Sequence, residues 1–578
     1  MRTDRESRNR GIKESRNRGL LESSNPGIPE SSSPLSRQLA VIIAVAQLLV
    51  LLFYLLTELR QNGRLGFPLD DPWIHLTFAR NLAQGWGFAF NLGEPVQGSS
   101  APLWTLILAF FHVFTKSAVA MVWIAKILGA AFLYVAGLFA CRLVLALTRQ
   151  RWAGLAAGLA LVTFSHFNWA MVSGMEVTLC AALALAGTYY HVVPRRGWRQ
   201  FLSWILFALA VHVRPESFLL PVFLIADIVV RRLAFRQKLM LWRGLGVYAA
   251  VTLPYLALNL ALAHSVFPQT YVAKVGRTSL FAATATGDTP QIGLLLFKAP
   301  MLYLRGFVTH LWRANPVLVL LALAGLVVLV VHFFKYRGQA SLLLPLGAVF
   351  YAQFVGMTAP FVSPSFQNGR YLGSAVALAV VLSVIGAEWL LRQVRHKSAR
   401  LAAGGVLGAL VLFNVVSAGI AVSANTVRAE DSINRQQIAL GEWLGENTPA
   451  NAVIACNDVG AIGYFAHRQV LDLLGLVTPE VMSYRKKYPI GRENFAGRDF
   501  VLDRRPDYLV IFPSWFPNLE KSDFLHPVHG VDLPDNYASQ YDFEPKLHTF
   551  AGIFITSLEL EPIRSTMVVY QPDWSKAR

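Results

Sequence analysis

Residues 38–56 read QLAVIIAVAQLLVLLFYLL, nineteen residues without a charge. As a helix this run is about 28 Å long, close to the hydrocarbon thickness of a bilayer. Runs of the same kind recur through the first three-quarters of the 578-residue chain, in which 54% of residues are hydrophobic and 15% are charged. Water-soluble domains carry about a quarter charged residues, so neither a string of such domains nor a disordered chain fits this composition. A polytopic membrane protein does.

The net charge of +18 does not point to nucleic acid, because the basic residues fall in short clusters between apolar runs. That distribution marks cytoplasmic loops. Residues 1–37 are polar, rich in Arg and Ser and interrupted by Pro, and predict a disordered cytoplasmic tail. No small-residue cleavage site follows the first run, which therefore reads as a retained helix. Crossings near 38–56, 119–147, 153–168, 177–193, 200–213, 216–230, 244–263, 316–334, 341–358, 371–391 and 402–423 place Arg149, Arg151, Arg195, Arg231, Lys335, Arg337 and Arg392 on the cytoplasmic side. The expectation is an all-α membrane domain over 38–423 with about eleven spans, the N-terminus inside. The apolar stretch 103–115 is short and reads as an interfacial or re-entrant helix. Residues 424–578 have the composition of a soluble unit, with helical spacing over 433–444 and short strands at 452–456 and 508–512. They predict a small α/β domain on the outer face. Cys141, Cys180 and Cys456 form no paired framework.

The loops assigned to the outside (57–102, 168–176, 214–216, 264–300 and 360–370) carry the acidic, aromatic and Gly-Asn residues, so any chemistry is expected there. In the first, Asp71 reads as a helix N-cap, Pro72 as the first helical residue, Ile74, Phe78 and Leu82 as an apolar stripe and Gly85 as the stop. Asp70, just ahead of that cap, has no such structural duty. A carboxylate beside the membrane surface is suited to take a proton from an acceptor hydroxyl. Both acids could equally be ordinary loop residues near water, and Trp73, Trp86, Phe88, Phe90 and Trp104 an interfacial aromatic belt.

The succession Asp70, Asp71, Ile74, Ala79, Arg80, Asn81, Leu82, Gly85, Gly87, Phe90, Asn91, Gly93, Glu94, Val96, Gly98, Ser100, Pro102, Leu103 and Trp104 resembles the first outer loop of bacterial GT-C glycosyltransferases. Within that superfamily it most resembles the branch containing the mycobacterial terminal arabinofuranosyltransferases. Supporting stretches follow in the same order: Ser173-Gly174-Met175-Glu176, Arg214-Pro215-Glu216, PQTYVAK over 268–274, Gly369-Arg370-Tyr371, NDVGAIGY over 457–464 and DLLGL over 472–476. The resemblance implies an enzyme that moves a sugar, arabinofuranose or a hexose, with inversion from a polyprenyl-phosphate donor to a glycan or lipid acceptor on the outer face. The first-loop base carries over to Asp70 in the first place and Asp71 in the second. Relatives often have Arg where this chain has Thr77, while Arg80 keeps its position; His75, two residues before Thr77, is a further candidate for substrate contact.

Glu176 opens a span on the outer side, where it could hold the acceptor or a divalent cation such as Mg, Mn or Ca; the helix dipole would also stabilise it there. Arg214 and Glu216 interrupt an apolar hairpin and serve either phosphate binding or a self-paired turn. Lys274 and Arg370 could each neutralise a lipid phosphate or simply anchor to headgroups. Tyr371 beside Arg370 offers a hydroxyl to a sugar. Asn457 and Asp458 begin a turn. No Walker loop, His-Glu-x-x-His or Gly-x-Ser-x-Gly pattern is present, which argues against ATP-driven transport and a serine hydrolase. The alternative class is a carrier or flippase for lipid-linked sugars, for which mid-membrane charges and an internal repeat would be expected.

Overall fold

The computed structural model describes residues 34–193, 195–237, 240–338, 340–359, 364–488, 493–533, 546–550, 553–557 and 566–577. The tail over 1–33 and residues 360–363 of an expected outer loop lie outside them. Among the described residues, seven helices are long and apolar enough to cross a membrane, or nine if each of two bent helix pairs is one span.

The first run forms Pro34–Asn62, and the second Ala118–Thr148. The stretch expected as one crossing at 153–168 is broken into Arg151–Val162 and Ser165–Val172, bent by 51°. Its second piece is buried at every residue. Pro102–His112 has 11 residues. At about 1.5 Å per residue it cannot cross a bilayer alone. It is pinned from within by Trp104 Nε1 donating to the Gly174 carbonyl at 3.1 Å.

One element overturns an expectation. Ala299–Ala314 is a helix, and together with the turns before it forms an apolar stretch from Thr289. The apolar pattern predicts an outer loop over 264–300 and no span over 301–315. Arg305 and Arg313 interrupt the apolar run, but they lie about two turns apart and leave Tyr303, Phe307, His310 and Leu311 buried along the helix.

Gly373–Gln393 is the centre of the membrane half, buried on all sides over most of its length. It packs on Pro316–Lys335 at Gly325 and Gly386, where a Cβ would collide with the backbone of the facing helix. The composition change near residue 424 does not interrupt the chain. Lys397–Ile433, a π-turn over Asn434–Ile438 and Ala439–Asn447 run on as one 51-residue helix. Its C-terminal half is held by Glu430, whose carboxylate accepts from Lys126 Nζ at 2.6 Å, while Lys126 also donates to Glu58 at 2.8 Å.

Beyond that helix the short apolar runs build a mixed five-stranded sheet. With β1 Val453–Cys456, β2 Gln469–Asp472, β3 Tyr508–Ile511, β4 Leu525–Val531, β5 Lys546–Phe550, β6 Ile553–Ser557 and β7 Met567–Pro572, the order is β2-β1-β3-β7-β4. The β1 strand pairs parallel with β2 and β3, and β7 pairs antiparallel with β3 and β4. A parallel neighbour needs a crossover, and Gly460–Ala466 supplies it between β1 and β2. This helix packs directly on the first outer-loop helix, Asp71–Ala83.

Candidate active site

The glycines and asparagines of the first outer loop are mainly architecture. Gly85, Gly87 and Gly93 all have positive φ, which glycine adopts without a Cβ clash. Asn81 donates to the Ala89 and Phe90 carbonyls at 2.9 and 2.8 Å, closing the turn after the helix. Asn91 pairs with both backbone groups of Val470 at 2.9 Å, tying the loop to β2. The loop therefore presents one face of Asp71–Ala83 to the membrane half and lays the other on the C-terminal sheet region.

The presented face carries Asp71, Ile74 and His75, which line a cavity of about 360 Å³. Glu176 comes from the turn before Val177–Val192, Arg214 and Glu216 from the hairpin, Lys274 from Gln269–Lys274, and Arg370 and Tyr371 from the start of the central helix. Eight of the ten residues singled out in the sequence thus meet in one place. Phe218, Leu219, Tyr255, Leu256, Val266, Phe267, Phe281 and Val355 make up much of the remaining wall. These were missed, although Phe218 and Leu219 follow Arg-Pro-Glu directly and Val266 and Phe267 precede PQTYVAK. The cavity has a charged end and a greasy end.

At the charged end, Asp71 Oδ2 lies 2.5 Å from Arg370 Nη2. Burial would raise this carboxyl, but the Arg370 guanidinium and Lys274 hold it well below the usual carboxylate range, so it is ionised. Arg214 forks between Glu176 Oε1 and Glu216 Oε1, each at 2.6 Å. The ring of Tyr371 lies under both guanidiniums, 4.9 Å from Arg214 and 5.1 Å from Arg370. His75 Nδ1 is 2.8 Å from Ser99 Oγ, and its Nε2 faces Glu176 Oε2 at 3.6 Å. Burial lowers the His75 pKa against the pull of Glu176 and Asp71. Glu176 Oε2 and Arg370 Nε are buried without a hydrogen-bond partner, which is costly unless a ligand supplies one.

The geometry exchanges the places expected for the two acids. Asp70, not Asp71, occupies the residue before the helix, and its side chain does not cap that helix. It is 4% exposed. Its carboxylate accepts from Gly460 N at 2.6 Å and Ala461 N at 2.7 Å, and it does not line the cavity. Burial and then the neighbouring Asp458 raise the Asp70 pKa well above the normal value, against those two hydrogen bonds.

Arg80 does not line the cavity either. At about 100° per residue it sits about 180° round the helix from Asp71. Its Nη1 donates to the Tyr464 carbonyl at 2.8 Å and its guanidinium stacks on the Tyr464 ring at 4.8 Å. Asn457 and Asp458 are also spent on structure: Asn457 Oδ1 accepts from Phe512 N at 3.3 Å, and Asp458 Oδ2 from Gln437 at 2.9 Å. Thr77, where an Arg was expected, donates to the Trp73 carbonyl.

A divalent cation does not fit these residues. Asp71, Glu176 and Glu216 are each committed to a guanidinium, and no group of three His, Cys, Asp or Glu among the described residues is disposed to hold a metal.

Residues 426–570 match the model of a domain of unknown function, DUF8728. No curated protein matches the sequence. Among solved structures the chain is similar to the archaeal oligosaccharyltransferase AglB from Archaeoglobus fulgidus in complex with an inhibitory peptide and a dolichol-phosphate. The TM-score is 0.53 at 13% identity, over 89% of this chain and 74% of that one. It is also similar to ArnT from Cupriavidus metallidurans bound to undecaprenyl phosphate, with a TM-score of 0.53 at 10% identity over 93% and 98% of the two chains. The apo form of ArnT gives 0.51 at 11% identity, over 94% and 99%. The chain is an integral membrane protein that shares the fold of these structures.

Proposed function

We propose that the protein is an inverting membrane glycosyltransferase that takes a sugar from a polyprenyl-phosphate carrier. The observation that carries this reading is the single cavity that joins a cluster of paired cations and carboxylates to an apolar wall. An amphipathic lipid phosphate bearing a sugar needs both ends. On this reading the prenyl chain lies along Tyr255, Leu256, Val266 and Phe267, and Arg370 and Lys274 neutralise the phosphate, with Arg214 behind them. Asp71 accepts the proton of the acceptor hydroxyl as that oxygen attacks the anomeric carbon opposite the phosphate, and the carbon–phosphate oxygen bond breaks. Glu176, His75 and Tyr371 are placed to bind sugar hydroxyls, and the orphaned Glu176 Oε2 is the acceptor such a hydroxyl would satisfy.

The known behaviour of a base supports Asp71 over Asp70. A base must reach the reacting proton, and only Asp71 faces the cavity. We further propose that the site faces the extracytoplasmic side of the inner membrane, that the C-terminal unit lies on that side with the N-terminus in the cytoplasm, and that the sugar is arabinofuranose or a hexose passed to a cell-envelope glycan. The test is the full chain in proteoliposomes, offered radiolabelled polyprenyl-phosphate arabinofuranose, mannose, glucose and galactose with a cell-envelope glycan fraction. Labelled product without an ion gradient is expected. Label that crosses the bilayer unchanged, with no product, would replace this reading by the carrier.

A further inference from the structure

We propose that Asp70 is a positioning residue, through which the C-terminal sheet region holds the neighbouring Asp71 in the cavity. This rests on the reading of Asp71 as the acceptor base. Both oxygens of Asp70 are engaged by consecutive backbone N–H groups at the start of Gly460–Ala466. A carboxylate there satisfies donors that the helix itself leaves unmade. The approach is backbone-tight. A Cβ on Gly460 would collide with the Asp70 carbonyl oxygen and come within 2.7 Å of Oδ2, so the contact exists only because residue 460 is glycine.

The same short helix grips the outer-loop helix at two further places. Trp73 packs on Tyr464 and Phe465 with ring centroids 5.0 and 4.9 Å apart, and Arg80 reaches the Tyr464 carbonyl. The grip thus runs along the whole side of Asp71–Ala83 that faces away from the cavity. Consecutive Cα atoms are about 3.8 Å apart, so a shift at Asp70 is a shift at Asp71. One acid faces the sheet region, its neighbour faces Arg370, and the peptide between them couples the two halves of the molecule. Arg370, Arg214 and the apolar wall sit on membrane-half elements, so the clamp should govern turnover and leave lipid-phosphate binding alone.

The test uses the full chain in nanodiscs with two variants that leave every cavity side chain in place, Gly460→Ala and Asp70→Asn. Undecaprenyl phosphate probes the cavity, and turnover is read with the radiolabelled donor that the wild type uses. In both variants kcat should fall about 100-fold, as expected for a displaced reacting group, with undecaprenyl-phosphate affinity unchanged. Wild-type kcat in Gly460→Ala would overturn the inference. So would a parallel loss of affinity, which would make the contact merely structural. A second readout needs no turnover: Asp71→Cys labelled with a cationic thiosulfonate reagent. Undecaprenyl phosphate should protect this cysteine, and adding Gly460→Ala should abolish the protection; persistent protection would refute the coupling. If the wild type uses no lipid-phosphate donor, the glycosyltransferase reading fails, while the labelling result still decides the role of Asp70.

Discussion

Two buried charge clusters in this protein look alike on paper and differ in what they touch. Glu58, Lys126 and Glu430 join three long helices with all three residues fully buried. Asp71, Arg370, Glu176, Arg214 and Glu216 join the loops that line the cavity. Both clusters leave a carboxylate oxygen without a hydrogen-bond partner. An orphaned polar atom is therefore not enough to mark a functional site. What separates the clusters is access: the second lines the cavity, whereas Glu58, Lys126 and Glu430 are not among its lining residues and have no exposed surface. A buried charge that no ligand can reach works on the fold, and one that a ligand can reach is available to chemistry.

The largest expected effect tests that separation directly. Asp71→Asn keeps the size of the side chain and removes the proton acceptor, so transfer should fall by about 10³-fold or more, with a smaller loss of thermal stability than in Lys126→Met because Asp71 is partly exposed. Turnover at the wild-type rate would remove Asp71 from the mechanism. Lys126→Met should show the opposite pattern, because it strands two carboxylates in the interior. Losing one partner of a buried ion pair costs about 3–5 kcal/mol, which should appear as a lower melting temperature and poor recovery from the membrane. Replacing Glu58, Lys126 and Glu430 together with Met should recover most of that stability, since no charge is then left unpaired. If Lys126→Met were stable yet inactive, the sealed cluster would belong to the chemistry after all.

The outer loops were legible in the sequence because charge in a membrane protein is expensive and had to be placed somewhere. Once Arg149, Arg195, Arg231 and Arg392 were put on one side, Asp71, Glu176, Arg214, Lys274 and Arg370 fell on the other. Their meeting around one cavity is what the structure adds. The partners of Asp70 were not legible, because Gly460 and Ala461 lie 390 and 391 residues away and offer only backbone N–H groups. Nothing in side-chain chemistry announces such a contact. Which of two adjacent acids faces the cavity depends on a rotation of about 100° at the start of a helix, finer than any spacing argument resolves. Lys126 was hidden for the opposite reason: it is a single charge in an apolar run, and its partners Glu58 and Glu430 are 68 and 304 residues distant.

Within the accessible cluster, Arg370→Lys keeps the charge and loses the guanidinium Nη2 that donates to both Asp71 and Tyr371. Donor KM should rise about tenfold, the loss of roughly one good charge-assisted hydrogen bond, with a smaller change in kcat. A uniform fall in kcat at constant KM would instead place Arg370 at the reacting atoms and not at the ground-state phosphate.

The two acids should also part company with pH, and this is the smallest effect expected. Asp71 has a depressed pKa in the folded state, so its contribution to stability is present above the unfolded carboxylate value of about 3.9 and is lost as pH falls through the folded one. Transfer should accordingly show no acid limb in the ordinary carboxylate range. Asp70 is raised by burial and by Asp458, so the sign is reversed. Its proton-linked stability is full below the unfolded value and fades as pH rises through the folded pKa. The melting temperature of the wild type should therefore fall relative to Asp70→Asn as pH is raised above 3.9, the unfolded reference value. Parallel pH profiles for the two proteins would mean that Asp70 does not titrate against its two amide donors. The contrast between an acid held by backbone amides and its neighbour that faces the cavity would then have to rest on the cavity alone.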